Sequence, residues 1–135
     1  SVLADGAYRL LLAEDSAANS FILRTYLETV GHEVDLASNG LEALALAQKF
    51  SYDAILMDLS MPEMDGLEAT KILRAKEGVN RDTPIIALTA HVLKEIREQC
   101  VEAGMTNFLT KPVSKEKLLE TLDHSVAAGQ HDLRF

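Results

Sequence analysis

Apolar residues along this chain fall into two patterns that alternate from one end to the other. Arg9-Leu10-Leu11-Leu12-Ala13, Ala54-Ile55-Leu56-Met57-Asp58 and Ile85-Ile86-Ala87-Leu88-Thr89 are short, nearly continuous apolar runs. Such runs predict strands buried on both faces, as in a parallel sheet. Glu33 to Ala37 alternates as a half-buried strand would, and Asn107-Phe108-Leu109-Thr110 predicts a short fifth strand. Between these runs the apolar spacing turns helical. Ile22, Leu23, Tyr26, Leu27 and Val30 share one face of a helix that begins at Ser16 and is closed by Gly31. Asn39-Gly40-Leu41-Glu42 and Asp65-Gly66-Leu67-Glu68 each read as an N-cap with an acidic partner three residues on. They open helices to about residues 50 and 76. A polar linker from Glu77 to Thr83 ends at Pro84. Leu93, Ile96, Cys100 and Ala103 then recur at helical spacing up to Gly104, and Ser114 caps a last helix with Leu118, Leu119, Leu122 and Val126 inward.

Strict strand–helix alternation with short connections predicts a parallel sheet between two helical layers. The folded body spans residues 9–127, with a leader at 1–8 and a loose tail at 128–135. Composition narrows the function more than the fold. A net charge of −8 argues against nucleic-acid binding, which needs clustered Lys and Arg. A single cysteine, Cys100, excludes an internal disulfide and the multi-cysteine metal motifs. With neither a bilayer-length apolar run nor a signal-peptide pattern, the expectation is a cytoplasmic protein without membrane contact.

The candidate chemistry lies at the strand C-termini, which share one edge in a parallel sheet and are where open α/β sheets place ligands. The first strand runs into Glu14 and Asp15, the third ends in Asp58, the fourth in Thr89, and the fifth runs into Lys111. Crowded carboxylates need a counter-charge. A hard divalent cation supplies it, and Mg²⁺ suits an oxygen site with one or two carboxylates. The metal and Lys111 would neutralise a phosphoryl group and Thr89 would donate a hydrogen bond to it, with Asp58 as the carboxylate nucleophile.

With these residues in order, namely Glu14-Asp15, Asp58 with Met61-Pro62 and Asp65-Gly66, Leu88-Thr89-Ala90, and Lys111-Pro112, residues 9–127 resemble a response-regulator receiver domain of two-component signalling. The resemblance implies a flavodoxin-like, doubly wound five-stranded sheet of order 2-1-3-4-5 with helices on both faces. It implies that Asp58 accepts a phosphoryl group from a histidine kinase or a histidine phosphotransfer protein. Glu14, Asp15, Asp58 and the Ser60 backbone carbonyl would hold Mg²⁺, and Lys111 would contact the phosphoryl group. Thr89 would be the switch hydroxyl and Phe108 the switch aromatic, with fixed packing as the lesser alternative for an aromatic strand residue. The Lys111-Pro112 bond is expected to be cis. Ser60 and His91 match the positions associated with tuning of dephosphorylation. A small Ser60 leaves the site open and His91 could screen it, so the phosphoryl lifetime stays open.

Two phrases, Met64-Asp65-Gly66-Leu67-Glu68-Ala69-Thr70 and Leu88-Thr89-Ala90-His91, are similar to receivers of hybrid sensor histidine kinases, as is Asn19 in the first helix. A stand-alone response regulator is the alternative. The resemblance also allows a weak homodimer through the fourth helix and fifth strand. Two enzyme-class or cofactor-class readings compete less well. A Mg²⁺-dependent aspartyl phosphatase would carry a second acid two residues after the nucleophile, where this chain has Ser60. A flavodoxin would carry a phosphate-cradling loop where Glu14-Asp15 would repel phosphate. Phe21 lies roughly 170° from a helix face centred near Tyr26, at about 100° per residue. With Ala17 it is a candidate for docking a histidine-bearing partner.

Overall fold

The computed structural model describes residues 6–91 and 93–132. Five strands and five helices alternate: β1 (Arg9–Ala13), α1 (Ala17–Glu28), β2 (Glu33–Ala37), α2 (Gly40–Lys49), β3 (Ala54–Asp58), α3 (Gly66–Ala75), β4 (Ile85–Thr89), α4 (Lys94–Ala103), β5 (Asn107–Thr110) and α5 (Lys115–Asp132). All strand pairs are parallel and the order is β2-β1-β3-β4-β5, the expected doubly wound sheet.

Side chains alternate across a strand, so the three central strands feed two cores. Leu11, Ala13, Ile55, Met57, Ile85 and Ala87 pack under α2, α3 and α4 with Ala43, Leu73 and Cys100. Leu10, Leu12, Ala54, Leu56, Ile86 and Leu88 pack on the other face with Leu23 and Leu27 of α1 and Leu118, Leu122 and Val126 of α5. At roughly 25 cal/mol per Å² of buried apolar surface, these two cores dominate the stabilisation. The caps form as their residue types dictate. Asn39 accepts from the Glu42 N–H, Asp65 from the Glu68 N–H, Ser16 from the Asn19 N–H and Ser114 from the Lys117 N–H.

The structure departs from the sequence reading in several places. In α1 the buried residues are Ser20, Leu23 and Leu27, while Ile22 and Val30 are about half exposed. Val30 lies past the Thr29 cap, and Ser20 can face inward because its hydroxyl donates to the Glu14 carbonyl at 3.2 Å. Leu93 is the N-cap residue of α4 and is exposed. Edge strand β2 does not alternate cleanly: Glu33, Val34 and Asp35 are all half-buried, and Leu36 is exposed on the open groove beside α1. The Glu77–Thr83 linker is less loose than its polarity suggests. Asn80 is buried, donating to the carbonyls of Ala47 and Phe50 and accepting from the Tyr52 N–H and the Thr83 hydroxyl. The last helix continues through residues expected to be tail, since Ala127 and Ala128 favour helix and one Gly costs only about 1 kcal/mol. Residues 1–5 of the expected leader and 133–135 of the expected tail lie outside the described residues.

Tyr8, assigned to the leader from sequence, is tied to the body at the sheet edge opposite the strand C-termini. Its carbonyl accepts from the Glu33 N–H, its ring stacks on His32 with centroids 4.8 Å apart, and its hydroxyl donates to Asp123. Its N–H donates to His32 Nδ1 at 2.9 Å, so the buried imidazole is neutral with its proton on Nε2. Burial lowers the His32 pKa below 6.5, against the smaller opposing pull of Asp123 and Asp53. Between the unfolded and folded values the unfolded chain therefore binds more protons. This contribution to stability is present above about pH 6.5 and is lost as pH falls through the window below it. An NMR titration of the imidazole protons should place the His32 midpoint below 6.5. A midpoint above 6.5 would contradict the assigned hydrogen bond.

Candidate functional site

Each strand delivers its polar residue to one edge because its apolar stretch ends there. Asp58 closes β3, all five residues of which are buried. Glu14 follows β1 and extends its pairing with β2, its N–H donating to the Ala37 carbonyl at 3.0 Å. Lys111 follows β5, its N–H donating to the Thr89 carbonyl at 2.8 Å. The Lys111-Pro112 peptide is cis.

Four of the expected residues meet. The Lys111 ammonium donates to Asp58 Oδ2 at 2.8 Å and to Glu14 Oε2 at 3.0 Å, bridging two carboxylates that are each only 2% exposed. Asp15 is exposed at the mouth, and ligand oxygens of Glu14, Asp15 and Asp58 lie within 4.8 Å of one another. The Ser60 N–H donates to Asp58 Oδ1 at 3.0 Å and fixes that carboxylate from the loop side. Burial pushes the Glu14 carboxyl above its usual range and the neighbouring Asp58 carboxylate adds to the push, while bonds from Lys111 and Asn19 oppose it. Burial works against the Lys111 ammonium, but its bonds to Asp58 and Glu14 outweigh that and raise its pKa. Three carboxylates around one ammonium leave excess negative charge, and their hard oxygen donors fit a Mg²⁺-type cation.

The remaining expected residues are placed differently. The Thr89 hydroxyl is engaged with its own loop, donating to the His91 carbonyl and accepting from the His91 N–H, both at 3.0 Å. Ser60 and His91 are both exposed. Phe108 is half-buried under the Arg97 guanidinium, 4.5 Å from the ring centroid. Phe21 is 73% exposed and lines an open groove with Ala17, Arg24 and Leu36 beside Glu14 and Asp15.

Sequence reasoning missed Asn19 as part of the site. Its side-chain amide donates to Glu14 Oε1 at 3.2 Å. Five residues of separation across a strand–helix turn gave no periodic signal for that contact. A second groove of about 350 Å³ between α1 and the loop after β5 was also missed. Ile22, Tyr26, Pro112 and Val113 line it, with Asn19 and Lys111 at its polar end.

Residues 10–123 match the family model of the response regulator receiver domain. The chain belongs to that family. It is 44% identical over 126 residues to the sensory/regulatory protein RpfC of Xanthomonas campestris pv. campestris, covering 90% of this chain and 17% of that protein. It is 37% identical over 122 residues to the sensor protein GacS of Pseudomonas syringae, covering 89% of this chain and 14% of that protein. The receiver domain of the sensor histidine kinase PA1611 from Pseudomonas aeruginosa, solved with a magnesium ion coordinated in its active site cleft, superposes with a TM-score of 0.83. That match has 38% identity and covers 90% of this receiver and 99% of that one. The chain thus spans less than a fifth of the length of the RpfC and GacS proteins it matches.

Proposed function

We propose that this receiver takes a phosphoryl group from a phosphohistidine onto Asp58. The observation that carries the reading is Lys111 Nζ bridging Asp58 and Glu14 beside the Glu14–Asp15–Asp58 cluster. In the transfer, a carboxylate oxygen of Asp58 attacks phosphorus. The new O–P bond forms as the P–N bond breaks, and that electron pair returns to the imidazole nitrogen. Glu14, Asp15, Asp58 and the Ser60 carbonyl would hold Mg²⁺, which when bound supplies positive charge for the phosphoryl oxygens. Lys111 already sits on the attacking carboxylate and contributes a second cation there.

Two features support a switch. The Thr89 hydroxyl must release His91 before it can reach a phosphoryl oxygen, so phosphorylation would remodel the loop after β4. Phe108 can turn inward only by leaving Arg97. Ser60 and His91 flank the mouth and would set access of the attacking water. The matches to sensor proteins and to a hybrid signal transduction histidine kinase support an origin within a hybrid sensor histidine kinase, and with it we place this receiver in the cytoplasm.

The test is incubation with acetyl phosphate and Mg²⁺, followed by intact mass spectrometry beside an Asp58→Asn variant. The expected result is a gain of one phosphoryl group that requires both Mg²⁺ and Asp58. Absence of that gain, together with no binding of beryllofluoride, would overturn the reading.

The exposed Phe21 and adjacent Ala17 would dock the histidine-bearing donor. Losing an aromatic anchor typically weakens an interface by 1–2 kcal/mol. Phe21→Ala should therefore slow transfer from a phosphorylated histidine phosphotransfer domain by about tenfold. Its rate with acetyl phosphate should stay unchanged. Equal rates for parent and variant with the protein donor would remove Phe21 from the interface.

A further inference from the structure

Glu14 is held at both oxygens. Lys111 occupies Oε2 from the β5 side, and the Asn19 amide occupies Oε1 from the first turn of α1. Lys111 also serves Asp58, so its position is shared between two carboxylates. Asn19 has no such second carboxylate in its bonding: its backbone N–H is spent on the Ser16 cap and its side chain on Glu14.

The residue type matters at this spot. Asparagine is a poor helix former compared with alanine, and an acid would suit the first turn better. An acid beside Glu14 would repel it, whereas a lysine would draw it out of the cluster as a competing ion pair. A neutral donor can fix the carboxylate without altering the charge available to a cation. Asn19 also lies at the polar end of the groove lined by Ile22, Tyr26, Pro112 and Val113. A single amide therefore joins a buried carboxylate of the acidic cluster to a surface open to solvent.

We propose that Asn19 is a positioning residue for the cation site, orienting Glu14 through Oε1 so that the carboxylate stays turned toward Asp15 and Asp58. This rests on the reading of the cluster as a Mg²⁺ site. Groups that orient a metal ligand from behind typically contribute 10–100-fold in metal affinity. Asn19 is exposed, so the lower end of that range applies.

The test is a Mg²⁺ titration of the 135-residue chain and its variants, followed by the backbone amide NMR shifts around Asp58, with a thermal melt of each protein in the absence of Mg²⁺. Asn19→Ala and the shape-matched Asn19→Leu should raise the Mg²⁺ Kd by about tenfold. Asn19→Gln, which keeps the donor, should stay nearer the parent. All three should melt within a few degrees of the parent without metal, because alanine and leucine favour helix. Equal Kd values across the series would overturn the proposal. So would a Kd increase that merely tracks a falling melting temperature, because that is the signature of a structural role. If the parent itself binds no Mg²⁺, the reading of the cluster fails instead, so the two failures are distinguishable.

Discussion

Gly66→Ala is expected to destabilise the fold by about 3 kcal/mol, a fall in Tm on the order of 10 °C. Helix propensity alone predicts the opposite, since alanine is favoured over glycine by roughly 1 kcal/mol inside a helix. Tertiary contact decides the sign. A Cβ at position 66 would run into the backbone carbonyl of Asp58 and would stand 2.8 Å from the Met57 Cγ. The carbonyl cannot give way cheaply, because β3 lies at the centre of the sheet between β1 and β4 and is buried throughout. Any accommodation must move the first turn of α3 or the end of β3, and the second displaces the proposed phospho-acceptor. Gly78→Ala is the matched control, since a Cβ there meets nothing within 4 Å. It should change stability by no more than about 0.5 kcal/mol. Urea unfolding followed by circular dichroism separates the two variants. A Gly66→Ala protein as stable as Gly78→Ala would mean that α3 can shift away from β3 freely.

That contact also marks the limit of what the sequence reveals. The ends of the strands were legible because a continuous apolar run that stops at a charge leaves few options for where the charge lies. Asp58 and Lys111 were therefore brought to one edge by strand pattern alone, and the structure joins them directly. Both N-caps at Asn39 and Asp65 were legible because their signals lie within four residues. The parts that were not legible depend on long-range geometry. Gly66 reads locally as a weak helix residue, and only the approach of Asp58 gives it a purpose. Asn80 reads as linker polarity, yet it connects to the end of α2 from 30 and 33 residues away. His32 lies in the turn between α1 and β2, and nothing local in its sequence announces the Tyr8 ring that stacks on it. The Thr89 hydroxyl was placed toward the pocket by strand position, but a local pairing with His91 satisfies it first. Pattern fixes which elements form and which ends meet, while side-chain partners that cross between elements are decided by packing.

Lys111→Met should have the second large effect, and its direction follows from charge. Methionine keeps most of the stem but removes the ammonium that lies 2.8 Å from Asp58 and 3.0 Å from Glu14. The two carboxylate side chains are 3% and 1% exposed, so water cannot replace the lost cation well. At the 4.8 Å limit of the cluster, two like charges repel by about 3.5 kcal/mol at an effective dielectric constant near 20. Removing one partner of a buried ion pair characteristically costs about 3–5 kcal/mol. Because Lys111 is itself partly exposed, the expectation is the lower end, about 3 kcal/mol without Mg²⁺ at neutral pH. Two further arms isolate the cause. In an Asp58→Asn background one of the two carboxylates is already neutral, so Lys111→Met should cost less than half as much, a coupling that a double-mutant cycle measures directly. Added Mg²⁺ should narrow the gap between Lys111→Met and the parent, because a cation that binds only the folded cluster stabilises it in proportion to RT ln(1 + [Mg²⁺]/Kd). If Lys111→Met costs the same in both backgrounds, its loss is one of packing, and the ammonium is not what holds the two carboxylates together.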